Sequence, residues 1–160
     1  MNDDIKATYG FSEEAREPVE ELNKHHEEAK QWLEFAEADS AVAHHLNEGF
    51  FHPRGLGIIC YHCSQAAEKS VKAVLAELGS PGGIPQKHDI GFILNQMKNV
   101  IKEQTGTFIS ESMLDMADDL SDYSVAVRYP NEIYIDEYKT KKAIEEMDYF
   151  VNWAKGIIDE

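Results

Sequence analysis

Apolar side chains recur in threes and fours along most of this chain, and nowhere do they alternate with polar ones for long. The clearest run lies between Ile58 and Gly79. There Cys60, Ser64, Ala67, Val71, Val74 and Leu78 step by four, three, four, three and four, the period of one buried helical face. Glu68, Lys69, Lys72 and Glu77 fall between them, so the spacing predicts a core helix with polar positions beside its apolar stripe. Small residues at Ser64, Ala66, Ala67, Ser70 and Ala73 let neighbouring helices approach closely, and Gly79 can leave the helix with a positive φ.

The remaining periodic stretches read as helices packed on that one. Pro18 suits a first helical position. From there Val19, Leu22, His26, Ala29, Leu33, Ala36, Asp39, Ala43 and Leu46 carry a long first helix to Asn47. The second runs from about Leu56 to Leu78. After a breaker-rich loop, Asp89 caps a short third helix bearing Ile90, Phe92, Ile93, Leu94 and Met97, which fades by about Lys102. A fourth starts near Ser110, places Met113, Met116, Leu120, Tyr123 and Val127 on one face, and ends at about Arg128, because Pro130 biases Tyr129 towards extended geometry. The fifth spans roughly Asp136 to Ile158, with Ile144, Met147, Val151, Ala154 and Ile158 on one stripe and Phe150 and Trp153 widening it. The expected class is all-α, an up-and-down bundle of four long helices plus a short one. Residues 1–17 show mixed charge and no clear period, so a flexible N-terminal arm precedes one bundle domain over 18–160.

Composition narrows the function classes. A formal net charge of −15 argues against non-specific nucleic-acid binding, which depends on Lys and Arg displacing phosphate counterions. A locally basic pocket remains compatible with it. No apolar run approaches the about 20 residues of a membrane span, and the acidic N-terminus has no apolar segment of signal type, so a cytoplasmic location with no membrane partner is expected. Two cysteines three apart in one helix make no secreted disulfide framework.

The stretch CYHCSQAAEKSVKAVLAELG, from Cys60 to Gly79, resembles the second helix of the HEPN family, the higher eukaryotes and prokaryotes nucleotide-binding domain. WLEFAEADSAVAHHL resembles that family's first helix, KHDI its histidine before the third, and DYSVAVRYP its fourth-helix ending, in the same order. The similarity covers about Lys30 to Ile158. It implies a helical bundle that usually forms a homodimer. It also implies one of several functions: a ribonuclease of toxin-antitoxin type, a partner subunit of a minimal nucleotidyltransferase, or a non-catalytic nucleotide-binding module. The ribonuclease members carry an arginine followed by four to six residues and a histidine at the end of the fourth helix. Here Arg128 is followed by YPNEIY, and no histidine occurs after His88, which argues against metal-free RNA cleavage. The leading reading is therefore a non-catalytic nucleotide- or partner-binding module with no cofactor. In the partner-subunit reading, a tyrosine such as Tyr129 or Tyr134 is the acceptor of a nucleotidyl group.

The candidate binding residues are Arg128, Tyr129, Lys69, Lys72, Asp39 and His88. Arg128 offers a planar fork to a phosphate, with Tyr129 beside it as a stacking ring, or else it serves its own helix end or pairs with Asp122. Asp39 lies on the apolar stripe of the first helix, where an ionised carboxylate needs a partner, and Lys69, Lys72 or Arg54 can supply one. Lys69 and Lys72 can neutralise a phosphate together or form an ordinary solvated face. His88 either fixes its loop by bonding a carbonyl or reaches a ligand at the helix end. Cys60, His62, Cys63, His44 and His45 include good zinc ligands, but within a helix Cys60 and Cys63 share a face from which His62 points away, so no metal site is expected. Tyr123, Val127, Phe150, Trp153 and Ile157 give the fourth and fifth helices wide apolar faces, taken as the surface of a homodimer.

Overall fold

A computed structural model describes residues 19–80, 82–126, 129 and 134–159. The arm over 1–17, Pro18, Val127, Arg128 and Pro130 lie outside the described residues. Five helices follow in order: α1 Val19–Asn47, α2 Gly55–Glu77, α3 Ile90–Thr105, α4 Glu111–Ala126 and α5 Glu137–Ile158. The described chain contains no strand, as the absence of alternating runs predicts.

Local chemistry sets the helix ends. Asp89 accepts a hydrogen bond from the Phe92 amide, Ser110 Oγ from the Met113 amide and Asp136 from the Lys139 amide, each satisfying an orphan donor of a first turn. Gly79 ends α2 with φ 64° and Gly106 ends α3 with φ 72°, conformations costly for residues with a Cβ. Thr105 hydroxyl bonds back to the Ile101 carbonyl, so α3 runs to Thr105 and does not fade at Lys102.

α2 is the core of the bundle. Cys60, Ser64, Ala67, Val71 and Val74 are all buried, as their spacing requires. Burial extends around the rest of the helix as well: Glu68 and Lys72 are about as inaccessible as the stripe, at 4% and 5% exposure. The polar positions beside the stripe are therefore not a solvated face, because neighbouring elements cover α2 on more than one side. Its alanines and serines permit this. Ser70 keeps its hydroxyl satisfied inside the helix on the Ala66 carbonyl at 2.7 Å.

α1 buries only a narrow stripe of Ala29, Leu33, Ala36 and Ala43. Val19 and Leu22 are exposed although they continue the same rhythm. The reason is length. α1 has 29 residues against 23 in α2, and His26 already stands beside Glu77 at the end of α2, so the first turns of α1 overhang the partner helix.

Side-chain pairs fix the directions. α1 is antiparallel to α2 (His26 with Glu77, Asp39 with His62) and to α5 (His44 with Asp148, Glu37 with Lys155). Cys60 meets Thr140, so α2 and α5 run parallel. α4 is antiparallel to α5 through Asp119 and Lys142 and to α3 through Ser121 and Ile90. The C-terminal ends of α2, α3 and α5 consequently open on the same side of the bundle.

The apolar residues read as a homodimer face have another place. Tyr123 and Phe150 are buried inside the single chain, at 8% and 0% exposure, and belong to its main core cluster. Trp153 and Ile157 are partly buried against the same bundle. Among the described residues the exposed large apolar groups are others, including Val125 on α4 and Tyr138 and Tyr149 on α5, with Phe51, Phe108 and Phe35 the most accessible phenylalanines.

Candidate functional site

α2 carries consecutive polar residues into the bundle at Glu68 and Lys69, with Lys72 one turn further on. Packing against α1 and the loop before α3 turns them into two adjacent charged clusters. In the first, Asp39 of α1 is bound by both Lys69 Nζ and His62 Nδ1, the latter at 2.8 Å. The Asp39 side chain is only 14% exposed, so pairing on both oxygens is what permits the charge there. In the second, Glu68 accepts a hydrogen bond from His88 at 2.7 Å and stands 3.9 Å from Lys72 Nζ. Both Glu68 and Lys72 side chains are 6% exposed.

Aromatic rings of α1 complete this belt. Lys72 Nζ lies over the Trp32 ring at 5.5 Å and Lys69 Nζ over Phe35 at 5.8 Å. Phe35 is 60% exposed, so one ring beside the half-buried Lys69 faces solvent. His88 is also open, with 65% of its side chain accessible. Two lysines offset two carboxylates here, leaving the belt formally neutral. In a chain of formal charge −15 that is a place where an anion meets little repulsion.

Four of the six candidate residues thus come together. Asp39 pairs with Lys69 as expected, but its second partner is His62, and Lys72 is turned to Glu68 while Arg54 stands exposed at the start of α2. His88 fixes its loop through a carboxylate and not through a carbonyl. Tyr129 is exposed, with 56% of its surface accessible. Arg128 lies outside the described residues. Two other carboxylates of the bundle already have cations: Asp39 is paired with Lys69, and Asp119 with Lys142 at 3.0 Å.

Cys60 and Cys63 are free, buried thiols. Burial pushes the Cys60 thiol up to about 11, and Cys63 is raised further by burial and by neighbouring negative groups. Neither is a ready thiolate. Among the described residues no group of three or more His, Cys, Asp and Glu is arranged to hold a metal ion.

The sequence reading missed a third charged group, between α4 and α5. Glu146 is 6% exposed, and burial, with the charge of Asp119 next in weight, raises its carboxyl from an ordinary 4.5 to about 7. Lys142 bridges the two, 3.0 Å from Asp119 and 3.7 Å from Glu146. Tyr123 beside them is raised, chiefly by burial. A signal was present: Glu146 sits three residues after Ala143 and four before Phe150, on the widened apolar face of α5.

A family model described as the HEPN domain matches residues 29–157. Two solved structures share the fold. The crystal structure of TT1696 from Thermus thermophilus aligns with TM-score 0.63 at 19% identity, covering 81% of this chain and 97% of that one. ST0689, an archaeal HEPN homologue, aligns with TM-score 0.60 at 24% identity over the same shares. No curated protein matches.

Proposed function

Because this chain belongs to the HEPN domain family, we propose that it is a non-catalytic module that binds a nucleotide or a partner protein, with the belt around Lys69 and Lys72 contributing to the anion site. The observation that carries this reading is the combination of Lys69, His62 and His88 with the exposed Phe35 ring, in a part of an acidic molecule where the charges cancel. A phosphate arriving there would share Lys69 with Asp39, which keeps His62 on its other oxygen. The open Phe35 ring would offer a base a stacking surface. Arg128 and Tyr129 remain in the proposal as the second part of the site, with the guanidinium taking a phosphate and the phenol ring a base.

Chemistry is disfavoured by the sequence. Cleavage of RNA by its own 2′-hydroxyl needs a proton-transfer group beside the arginine, and the histidine expected after Arg128 is missing. Loss of such a group typically removes about 10² to 10⁴ of rate. Homodimerisation belongs to the same proposal. Its surface must involve groups other than Tyr123 and Phe150.

Calorimetric titration with nucleoside mono-, di- and triphosphates tests the reading on wild type, Lys69→Ala, Phe35→Ala and Arg128→Ala. Weakened binding in Lys69→Ala and in Arg128→Ala is expected. Affinity unchanged in both removes the site, and robust RNA cleavage abolished by Arg128→Ala replaces the binding module with an enzyme.

A further inference from the structure

The end of the bundle where α2, α3 and α5 terminate contains a cleft of about 590 Å³. Its rim is made by Glu77 and Leu78 at the end of α2, Gln104 and Thr105 at the end of α3, and Asn152 with Trp153 in the last turns of α5. Three helix C-termini placed together bring three negative dipole ends to one place, although the Leu78, Gly79 and Ser80 amides cap carbonyls of α2, the Gly106 amide one of α3 and the Asp159 amide one of α5. Lysine or arginine in a last turn ordinarily offsets this. Here α2 has no basic residue in its last turn and ends instead on Glu77. The two lysines that α3 and α5 do provide are engaged elsewhere: Lys102 lies over the Phe108 ring at 4.4 Å, and Lys155 pairs with Glu37 at 3.0 Å. His26 is the group that meets Glu77, at 2.9 Å.

We propose that this cleft binds an aliphatic ammonium group, carried either by a free linear polyamine or by a lysine side chain of another protein. The chemistry follows from the lining. Glu77, Gln104 and Asn152 line the cleft from three elements with side-chain oxygen acceptors, which an ammonium with three donors can use together. Leu78 and Trp153 supply an apolar wall for the methylene stem. An anionic ligand would face Glu77 and three negative dipole ends, with no lysine or arginine among the lining residues. The chain's net charge of −15 adds long-range attraction for a cation. This site lies at the end of the bundle, away from the Lys69 belt, and does not depend on the nucleotide reading.

The test uses the full chain with Trp32→Phe, which leaves Trp153 as the sole tryptophan and a reporter inside the cleft. Spermidine and Nα-acetyl-lysine amide are titrated separately at matched ionic strength. A saturable change in Trp153 emission is expected with at least one. Binding should weaken about tenfold in Glu77→Gln, the loss of one charge-assisted hydrogen bond. Asn152→Lys, at an exposed position, fills the cleft with a resident ammonium and should abolish binding even if Glu77→Gln fails to fold. Asp115→Asn on α4 should leave it unchanged. Response to spermidine alone identifies a free polyamine, and response to the blocked lysine identifies a protein side chain. The proposal is overturned if neither ligand saturates, or if Asn152→Lys binds as wild type does. An equal loss from Asp115→Asn and Asn152→Lys also overturns it, since that assigns the effect to the general acidic field.

Discussion

Glu146 makes the fold pH-sensitive through a single buried group. Its carboxyl is raised to about 7 in the folded chain, so the native state holds a proton that the unfolded chain releases near 4.5. Between those values the native state binds more protons, and this group's contribution to stability falls as pH rises through the window and stays low above it. Glu146→Gln, which keeps the shape and removes the charge, should raise the melting temperature at pH 8 and make little difference at pH 4.5. Thermal denaturation at both values checks this, and an equal shift at both would contradict it. Asp39 poses a different case, a carboxylate hydrogen-bonded by two partners from α2. Asp39→Ala strands Lys69 and His62 in a half-buried setting and should cost about 1–3 kcal/mol in urea denaturation. Asp39 was legible in the sequence because a carboxylate on an apolar stripe demands a partner. His62 was not, since helical spacing turns it away from the cysteines and says nothing of what α1 presents to it.

At the scale of the helices, periodicity and cap chemistry act independently and agree. α3 is the most sensitive element, being short and closed by Asp89 at one end and Gly106 at the other. Asp89→Ala should cost about 1 kcal/mol through the lost cap to the Phe92 amide, read as a lowered urea midpoint with unchanged slope. Gly91 in the first turn faces a different constraint: a methyl group there would run into the Asp118 carboxylate of α4. Asp118 is exposed and can swing aside, so Gly91→Ala should gain part of the about 1 kcal/mol of helix propensity that alanine has over glycine, and Asp118→Ala in the same chain should increase that gain. A stability change of the same size with and without Asp118 would show that the contact with α4 plays no part. Such a contact is invisible along α3, where Gly91 looks only like a weak helix position.

For the molecule as a whole, the acidic surface governs encounters with other macromolecules. At physiological salt the protein should not retain a random-sequence duplex in fluorescence anisotropy, because few lysines are available to displace counterions. Salt-sensitive micromolar binding would require a basic face that the charge balance does not suggest. No helix among the described residues is long and apolar enough to cross a membrane. Burial within one chain also alters the assembly argument. Tyr123 and Phe150, which look surplus when each helix is read alone, are used up by the packing of α4 and α5 around α2. Light scattering at micromolar concentration should still give the mass of a dimer if the proposed assembly holds, and a mutation at the exposed Phe51 is a better first probe of its surface than one at Tyr123.

The sequence by itself determined the five helices, their caps and the central place of the Cys60–Leu78 stripe, because a repeat of three and four and a capping side chain act over a turn or two. It also carried the family, through short ordered motifs. Only the tertiary structure decided which charges are buried. Glu68 and Lys72 occupy positions that helical spacing leaves beside the stripe, and the packing around α2 encloses them. The same holds for Glu146, whose proton affinity is set chiefly by burial and then by Asp119, a residue on another helix. Electrostatic environment depends on everything within several ångströms in space, and a chain that folds back on itself brings those neighbours from distant parts of the sequence.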